Sequence, residues 1–290
     1  MRPLLLPLLA LLLTTGSLSA ADPIKATASF SILADIVERV GGDRVVVSSI
    51  VGPDSDAHTY SPTVGDARSV AKADIVFING LGFEGWIGDL IAASGNDAPV
   101  ITVTRDIEPL LIDGEADPHA WNDLTNGVAY AAAIKEGLSA LDPDNAAVYA
   151  ANQHAFAKQI DELLARVQPR FAALPQNQRS VVTAHDAFGY CEAQFGLRFL
   201  APVGMNTDAE PSARGLAQLI SQIKAEDIGG LFVENITNPD LVAQIAEETS
   251  LDIGGRLYPD ALSAQGGPAT SYLAMMHHNI ATLLSTLSRP

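Results

Sequence analysis

The sequence predicts an α/β protein of two similar lobes with parallel sheets, joined by one long linking helix that leaves a cleft between them. Three observations predict it. From Ile24 onward, short β-rich runs alternate with longer helical ones, the pattern of parallel-strand folds. A helical periodicity of about thirty residues begins at Pro143, far longer than an ordinary domain helix. The stretches before and after it also repeat one local order of strand, glycine, polar loop, proline and helix.

The elements follow in chain order. Residues 1–21 hold Arg2, a leucine-rich stretch and the small residues Ser19, Ala20 and Ala21, which is the layout of a cleaved secretory signal peptide. The apolar run is shorter than the ~20 residues of a membrane-spanning helix. The first lobe is expected over 22–141, with strands at 25–29, 45–50, 75–79 and 100–103. Helices are expected at 31–40, 61–71 and from Asn126 to about Leu138. The linking helix is expected over 142–174, with Asp142 as its N-cap and Pro143 at the favoured first position. Its apolar positions include Val148, Phe156, Ile160, Leu163, Val167 and Phe171, and its length would be ~45 Å. The second lobe, 175–290, repeats the pattern with strands at 180–184, 198–202, 230–234 and 252–257 and a closing helix at 270–287.

Composition narrows the function classes. Apolar residues make up 48% of the 290 and charged residues 18%, so the chain can bury a large core. Seventeen Lys and Arg against thirty-four Asp and Glu give a net charge of −17. Such a surface repels phosphate backbones and anionic lipids, which argues against nucleic acid as a partner. The single cysteine, Cys191, excludes an intrachain disulfide framework and any CxxC site, and burial as a small apolar residue is its expected role. The signal peptide points to the periplasm, and because no cysteine lies near the cleavage site the mature chain is expected to be soluble with no lipid anchor; a monomer is expected.

Four residues carry the chemistry. His58 in DAHTYSP, His119 in DPHAW and His185 in TAHDAFGY each lie past a strand or in a polar loop, and Asp260 in LYPDALS follows the last strand. Carboxyl ends of parallel strands are where ligands collect, and a cleft between lobes brings several such ends together. Three neutral imidazoles and one carboxylate make a tetrahedral donor set for a borderline divalent ion such as Zn²⁺. Asp56, Asp117 and Asp186 adjoin the histidines and are candidates to orient the rings. His154 is expected to face outward or pack locally, and the neighbours His277 and His278 point ~100° apart on one helix and cannot share an ion.

A competing motif is Gly80-Leu81-Gly82-Phe83-Glu84-Gly85, which matches GxGxxG after a strand, with Asp106 further on. It follows the third strand of its lobe rather than the first, and Glu84 would face a pyrophosphate with negative charge. A glycine-rich turn is the preferred reading. Neither HExxH nor GxSxG occurs, and a four-ligand site leaves no open position for water, so a secreted metallohydrolase is the weaker reading.

The segments beginning DAHTYSPTVGDARSV, DPHAWNDLTNG and TAHDAFGYCEAQFGL, taken in order, resemble the zinc/manganese solute-binding proteins of bacterial ABC transporters. The resemblance implies no enzymatic activity, a rigid linking helix, and His58, His119, His185 and Asp260 as metal ligands. It implies Zn²⁺ as cargo, with Mn²⁺ as the alternative. The family's manganese members typically carry Glu at the third position, where this chain has His185. The implied partners are an inner-membrane ABC permease and a periplasmic metallochaperone. Many zinc members insert a His-rich loop before the second motif; here residues 112–117 are short, acidic and without histidine, which weakens the chaperone expectation.

Overall fold

The computed structural model describes residues 22–209 and 211–288. The expected signal peptide lies outside the described residues. In the first lobe the elements are β1 (Ile24–Phe30), α1 (Ser31–Gly41), β2 (Val45–Val51), α2 (Val64–Ala71), β3 (Ile75–Ile78), α3 (Ile87–Ser94), β4 (Val100–Thr102), the short strands β5 (Leu111–Ile112) and β6 (Glu115–Ala116), and α4 (Leu124–Leu141). The linker is α5 (Ala146–Ala172). The second lobe holds β7 (Ser180–Val182), α6 (Gly189–Phe195), β8 (Arg198–Leu200), α7 (Ala213–Ala225), β9 (Gly230–Glu234), α8 (Asp240–Thr249), β10 (Ile253–Leu257) and α9 (Tyr272–Leu287).

Both large sheets are parallel. Their orders are β2-β1-β3-β4 and β10-β9-β7-β8, so counted within each lobe the strands follow one and the same arrangement. The repeat seen in the sequence is therefore a repeat of topology. β1 is central in its sheet, with Ala28 beside Ser49 on one side and Phe77 on the other. A strand covered on both faces needs the apolar run Ala26 to Phe30 that it has, broken only by the buried Thr27 and Ser29.

Helix starts follow local chemistry. Thr63 and Asp66 form a reciprocal capping box, which starts α2 three residues later than the proline-containing stretch suggests. Asp123 accepts from Thr125 and Asn126 to start α4, and Ser271 caps α9. The linker departs from expectation at its start. Residues Pro143–Asn145 form a 3₁₀ turn, and Asp142 caps nothing; its carboxylate accepts from the Asn145 amide at 2.8 Å and the Tyr149 hydroxyl at 2.7 Å. The residue before a proline is pushed out of helical geometry, so the α-helix begins only after the turn. With 27 residues α5 is about 40 Å long.

α5 is no free strut. It packs against α1, α4 and α9. One apolar core runs from the first lobe across Phe156, Ile160 and Leu163 of α5 to Met275, Met276, Ile280 and Leu283 of α9. Each such side chain contributes roughly 1.5–3 kcal/mol by leaving water. A smaller cluster of Val182, Leu219, Ile223, Leu231, Val242 and Ile245 lies under α7 and α8. Among the described residues, no helix is long and apolar enough to cross a membrane. Cys191 is buried, and burial pushes its thiol well above the usual range, which keeps it an unreactive packing residue.

Candidate metal centre

Four loops at the carboxyl ends of strands deliver one side chain each. His58 leaves the loop after β2, where Asp56 Oδ1 accepts its backbone N–H at 2.9 Å and Trp86 Nε1 donates to Ala57 O at 2.8 Å. Its ring stands edge-on to Phe83 at 4.7 Å. His119 follows the β5–β6 hairpin and opens a 3₁₀ turn; its backbone N–H and Nδ1 both meet Asp117 Oδ1, at 2.9 and 2.8 Å. His185 follows β7, and its N–H meets Glu234 Oε1 at 3.1 Å. Asp260 follows β10, and the neighbouring Pro259 carbonyl accepts from Trp121 Nε1 at 2.6 Å.

The structure brings all four expected residues together, with one donor atom from each inside a 4.8 Å span. His58 Nε2 lies 3.2 Å from His119 Nε2 and 3.4 Å from Asp260 Oδ2, and His185 Nε2 lies 3.0 Å from Asp260 Oδ2. The side chains of His119, His185 and Asp260 are fully buried, and that of His58 is 3% exposed. Asp260 Oδ1 is buried with no hydrogen-bond partner, 3.8 Å from His119 Nε2. A buried carboxylate oxygen left unpaired among imidazoles is costly unless something positive sits there.

The electrostatics follow from that crowding. Burial works against a charged His185, but the Glu234 and Asp260 carboxylates on either side outweigh it and hold the imidazole well above its usual range. Burial likewise opposes a charged Asp260, and the imidazoles of His185 and His119 overcome it and pull its carboxyl far below the carboxylate range. The two carboxylates thus favour the charged form of His185 over the neutral one.

Of the three candidate orienting carboxylates, Asp117 holds a ring. Asp56 instead takes the His58 N–H and the Thr59 hydroxyl within its own loop and the Thr207 hydroxyl from the second lobe. The Asp186 side chain bonds no imidazole; burial and the nearby Asp117 push its carboxyl up. Glu234, which the sequence reading missed, holds His185 Nδ1 at 2.6 Å. Its only signal is an acid ending an otherwise apolar strand, Gly230–Glu234, at the cleft end. Through Asp117 and Glu234, both rings present Nε2 lone pairs to the centre once His185 gives up its second proton.

The competing glycine motif is closed by its own glutamate. Glu84 is buried and accepts from Ser29 Oγ at 2.5 Å, Asn79 N at 2.6 Å and Gly80 N at 3.1 Å. The amides of Asn79 and Gly80 at the head of the motif are thus taken by a buried carboxylate, which itself sets negative charge where a phosphate would lie. His154 is exposed, and His278 Nε2 meets Arg256 O at 2.9 Å, remote from the cluster. Residues 111–116 form the tight β5–β6 hairpin, turning at Asp113 and Gly114.

Two parallel α/β lobes with a buried three-histidine, one-aspartate cluster between them define a substrate-binding protein for a metal ABC transporter. The chain belongs to the ZnuA family, described as zinc-uptake complex component A, periplasmic, whose pattern matches residues 27–286. It is 31% identical over 276 residues to the manganese-binding lipoprotein MntA of Halalkalibacterium halodurans, covering 95% of this chain and 92% of that one. It is 30% identical over 283 residues to the iron-binding protein YfeA of Yersinia pestis, covering 94% and 91%. The periplasmic zinc-binding protein TroA of Treponema pallidum superposes with a TM-score of 0.87 at 29% identity, over 92% of this chain and 100% of that one. Members of this family are solute-binding proteins of ABC transporters, which work with a membrane permease and an ATPase, and are not enzymes.

One expectation is corrected here. The sequence reading gave a chain without a lipid anchor, but MntA and streptococcal relatives such as SloC and PsaA are named lipoproteins, which are lipid-anchored at the membrane. The absence of a cysteine beside the leader was too narrow a basis for placing the protein free in solution.

Proposed function

We propose that this protein captures Zn²⁺ between its lobes through His58 Nε2, His119 Nε2, His185 Nε2 and Asp260, and passes the ion to its ABC permease. The lobes 22–141 and 175–290 supply two ligands each, with 142–174 as the spacer. The observation that carries the reading is the donor spacing. Four donors about 2.0–2.1 Å from a tetrahedral zinc stand about 3.3–3.4 Å apart; three of the six donor pairs, at 3.2, 3.4 and 3.0 Å, lie close to that edge, and all four donors fall within 4.8 Å of one another. Three imidazoles to one carboxylate also favour zinc over manganese, which prefers oxygen donors and more of them. The acidic surface, at a net charge of −17, draws cations toward the cleft.

A manganese cargo is the second reading, favoured by the likeness to MntA. Competition titration of the demetallated protein separates the two. The expected result is one zinc per chain, undisplaced by equimolar manganese. Displacement of zinc by manganese at equal concentration overturns the zinc assignment.

A further inference from the structure

The loop carrying Asp260 leaves β10 in the second lobe, where Asn235 Nδ2 donates to Ala261 O at 3.3 Å, yet several of its other hydrogen bonds run to the first lobe. Trp121 Nε1 donates to Pro259 O at 2.6 Å, and Leu262 N donates to Ser31 Oγ at 3.0 Å. Asp54 contributes twice: its N–H donates to Leu262 O at 2.9 Å, and its Oδ2 accepts from Ala264 N at 2.8 Å. The other carboxylate oxygen, Oδ1, accepts from Asn235 Nδ2 at 2.9 Å. Asn235 directly follows Glu234, the residue that holds His185. Asp54 thus grips both second-lobe segments that frame the site, each more than 180 residues away in the chain. It does so from a left-handed backbone conformation, φ 51°, which Asp and Asn tolerate better than most residues and Gly best of all.

We propose that Asp54 is a positioning residue for cargo retention: it latches the Asp260 and Glu234 segments onto the first lobe, and breaking this latch governs how fast the ion leaves. The proposal rests on the metal-capture reading above. Asp54 hydrogen-bonds to none of the four donor residues, so the latch and the coordination sphere are separable. A lobe that swings away must give up all three Asp54 hydrogen bonds, two of them to a charged acceptor.

Two variants isolate the carboxylate from the backbone. Asp54→Gly keeps the left-handed turn and the N–H but removes both acceptor oxygens. Asp54→Asn keeps the turn and one acceptor. Zinc-loaded protein is mixed with excess chelator and release is followed in time. Release about tenfold faster in the glycine variant is expected, with the asparagine variant within about threefold of the parent. Cobalt, used as a spectroscopic probe, is expected to give the same absorption bands in all three proteins, because the donors are unchanged. In the metal-free proteins, hydrogen exchange at the Ala264 amide is expected to speed up in the glycine variant. Parental release from Asp54→Gly, or a changed cobalt spectrum, overturns the latch. If the parent bound no zinc, the capture reading would fall on its own, and Ala264 exchange would still decide the latch: an unchanged rate overturns it.

Discussion

Glu234 Oε2 lies 2.6 Å from His185 Nδ1, while its other oxygen accepts the backbone N–H groups of Ala184 and His185 at 2.9 and 3.1 Å. One buried carboxylate therefore fixes both the backbone and the ring of a residue at the cleft. The same device recurs in the first lobe, where Asp117 takes the N–H and Nδ1 of His119. Each carboxylate selects the tautomer that leaves Nε2 for an ion.

Replacing Glu234 by Gln removes the charge and turns one acceptor into a donor facing other donors. Zinc affinity is expected to fall by about 10- to 100-fold, as for other carboxylates behind a ligating histidine. Competition with a chelator of known affinity measures it, and an unchanged affinity would show that Glu234 does not tune His185.

Removing a ring is expected to cost more. His119→Ala deletes one donor of four and leaves Asp117 buried without its ring partner. Zinc affinity is expected to drop by about two orders of magnitude or more. Circular dichroism is expected to show the fold retained. Affinity at the parental level would remove His119 from the site.

The pH dependence has a definite sign. On the proposed capture reading, zinc has to displace the proton that Glu234 and Asp260 favour on His185, whose folded pKa lies above the ordinary histidine value. Affinity is therefore expected to rise about tenfold per pH unit and to go on rising above pH ~6.5. A titration series from pH 5 to 9 that is flat above 6.5 contradicts this. The metal-free protein behaves oppositely on the alkaline side. The raised His185 pKa adds stability below the unfolded value near ~6.5, and that stability is lost as pH climbs through the folded value. The lowered Asp260 pKa adds stability above ~3.9, lost as pH falls through its depressed value. The melting-temperature gain from saturating zinc is thus expected to widen from pH 5.5 to 8, by calorimetry.

Glu84 gives a prediction separate from the cargo. Burial pushes its carboxyl up, and three donors hold it in place. Glu84→Ala strands Ser29, Asn79 and Gly80 and is expected to cost about 3 kcal/mol in urea unfolding, with the m-value unchanged. No gain of dinucleotide binding is expected. A neutral result would mean that these donors find other partners.

Much of this was legible in the chain. Short β-rich runs alternating with helical ones located the strands of both sheets to within a few residues, because parallel strands buried on both faces are rich in apolar residues. His58, His119, His185 and Asp260 were legible because each ends a strand or sits in a polar loop, where a ring has little packing reason to be. Glu234 was not, since its role depends on β9 lying beside β7, a neighbour relation no local pattern encodes. Asp56 read as a ring orienter from adjacency alone, but its oxygens are occupied by Thr59, Thr207 and a backbone amide. The hairpin β5–β6 has two residues per strand, too few to show any period.

The near-complete enclosure of the four donor side chains, the most open at 3% exposure, has a kinetic consequence. For an ion held by these donors, a chelator in solution would find almost no donor atom to approach and could not join the coordination sphere first. Loss of that ion is then expected to proceed on the protein's own opening clock, on the order of microseconds to seconds per excursion, and to saturate with scavenger concentration instead of scaling with it.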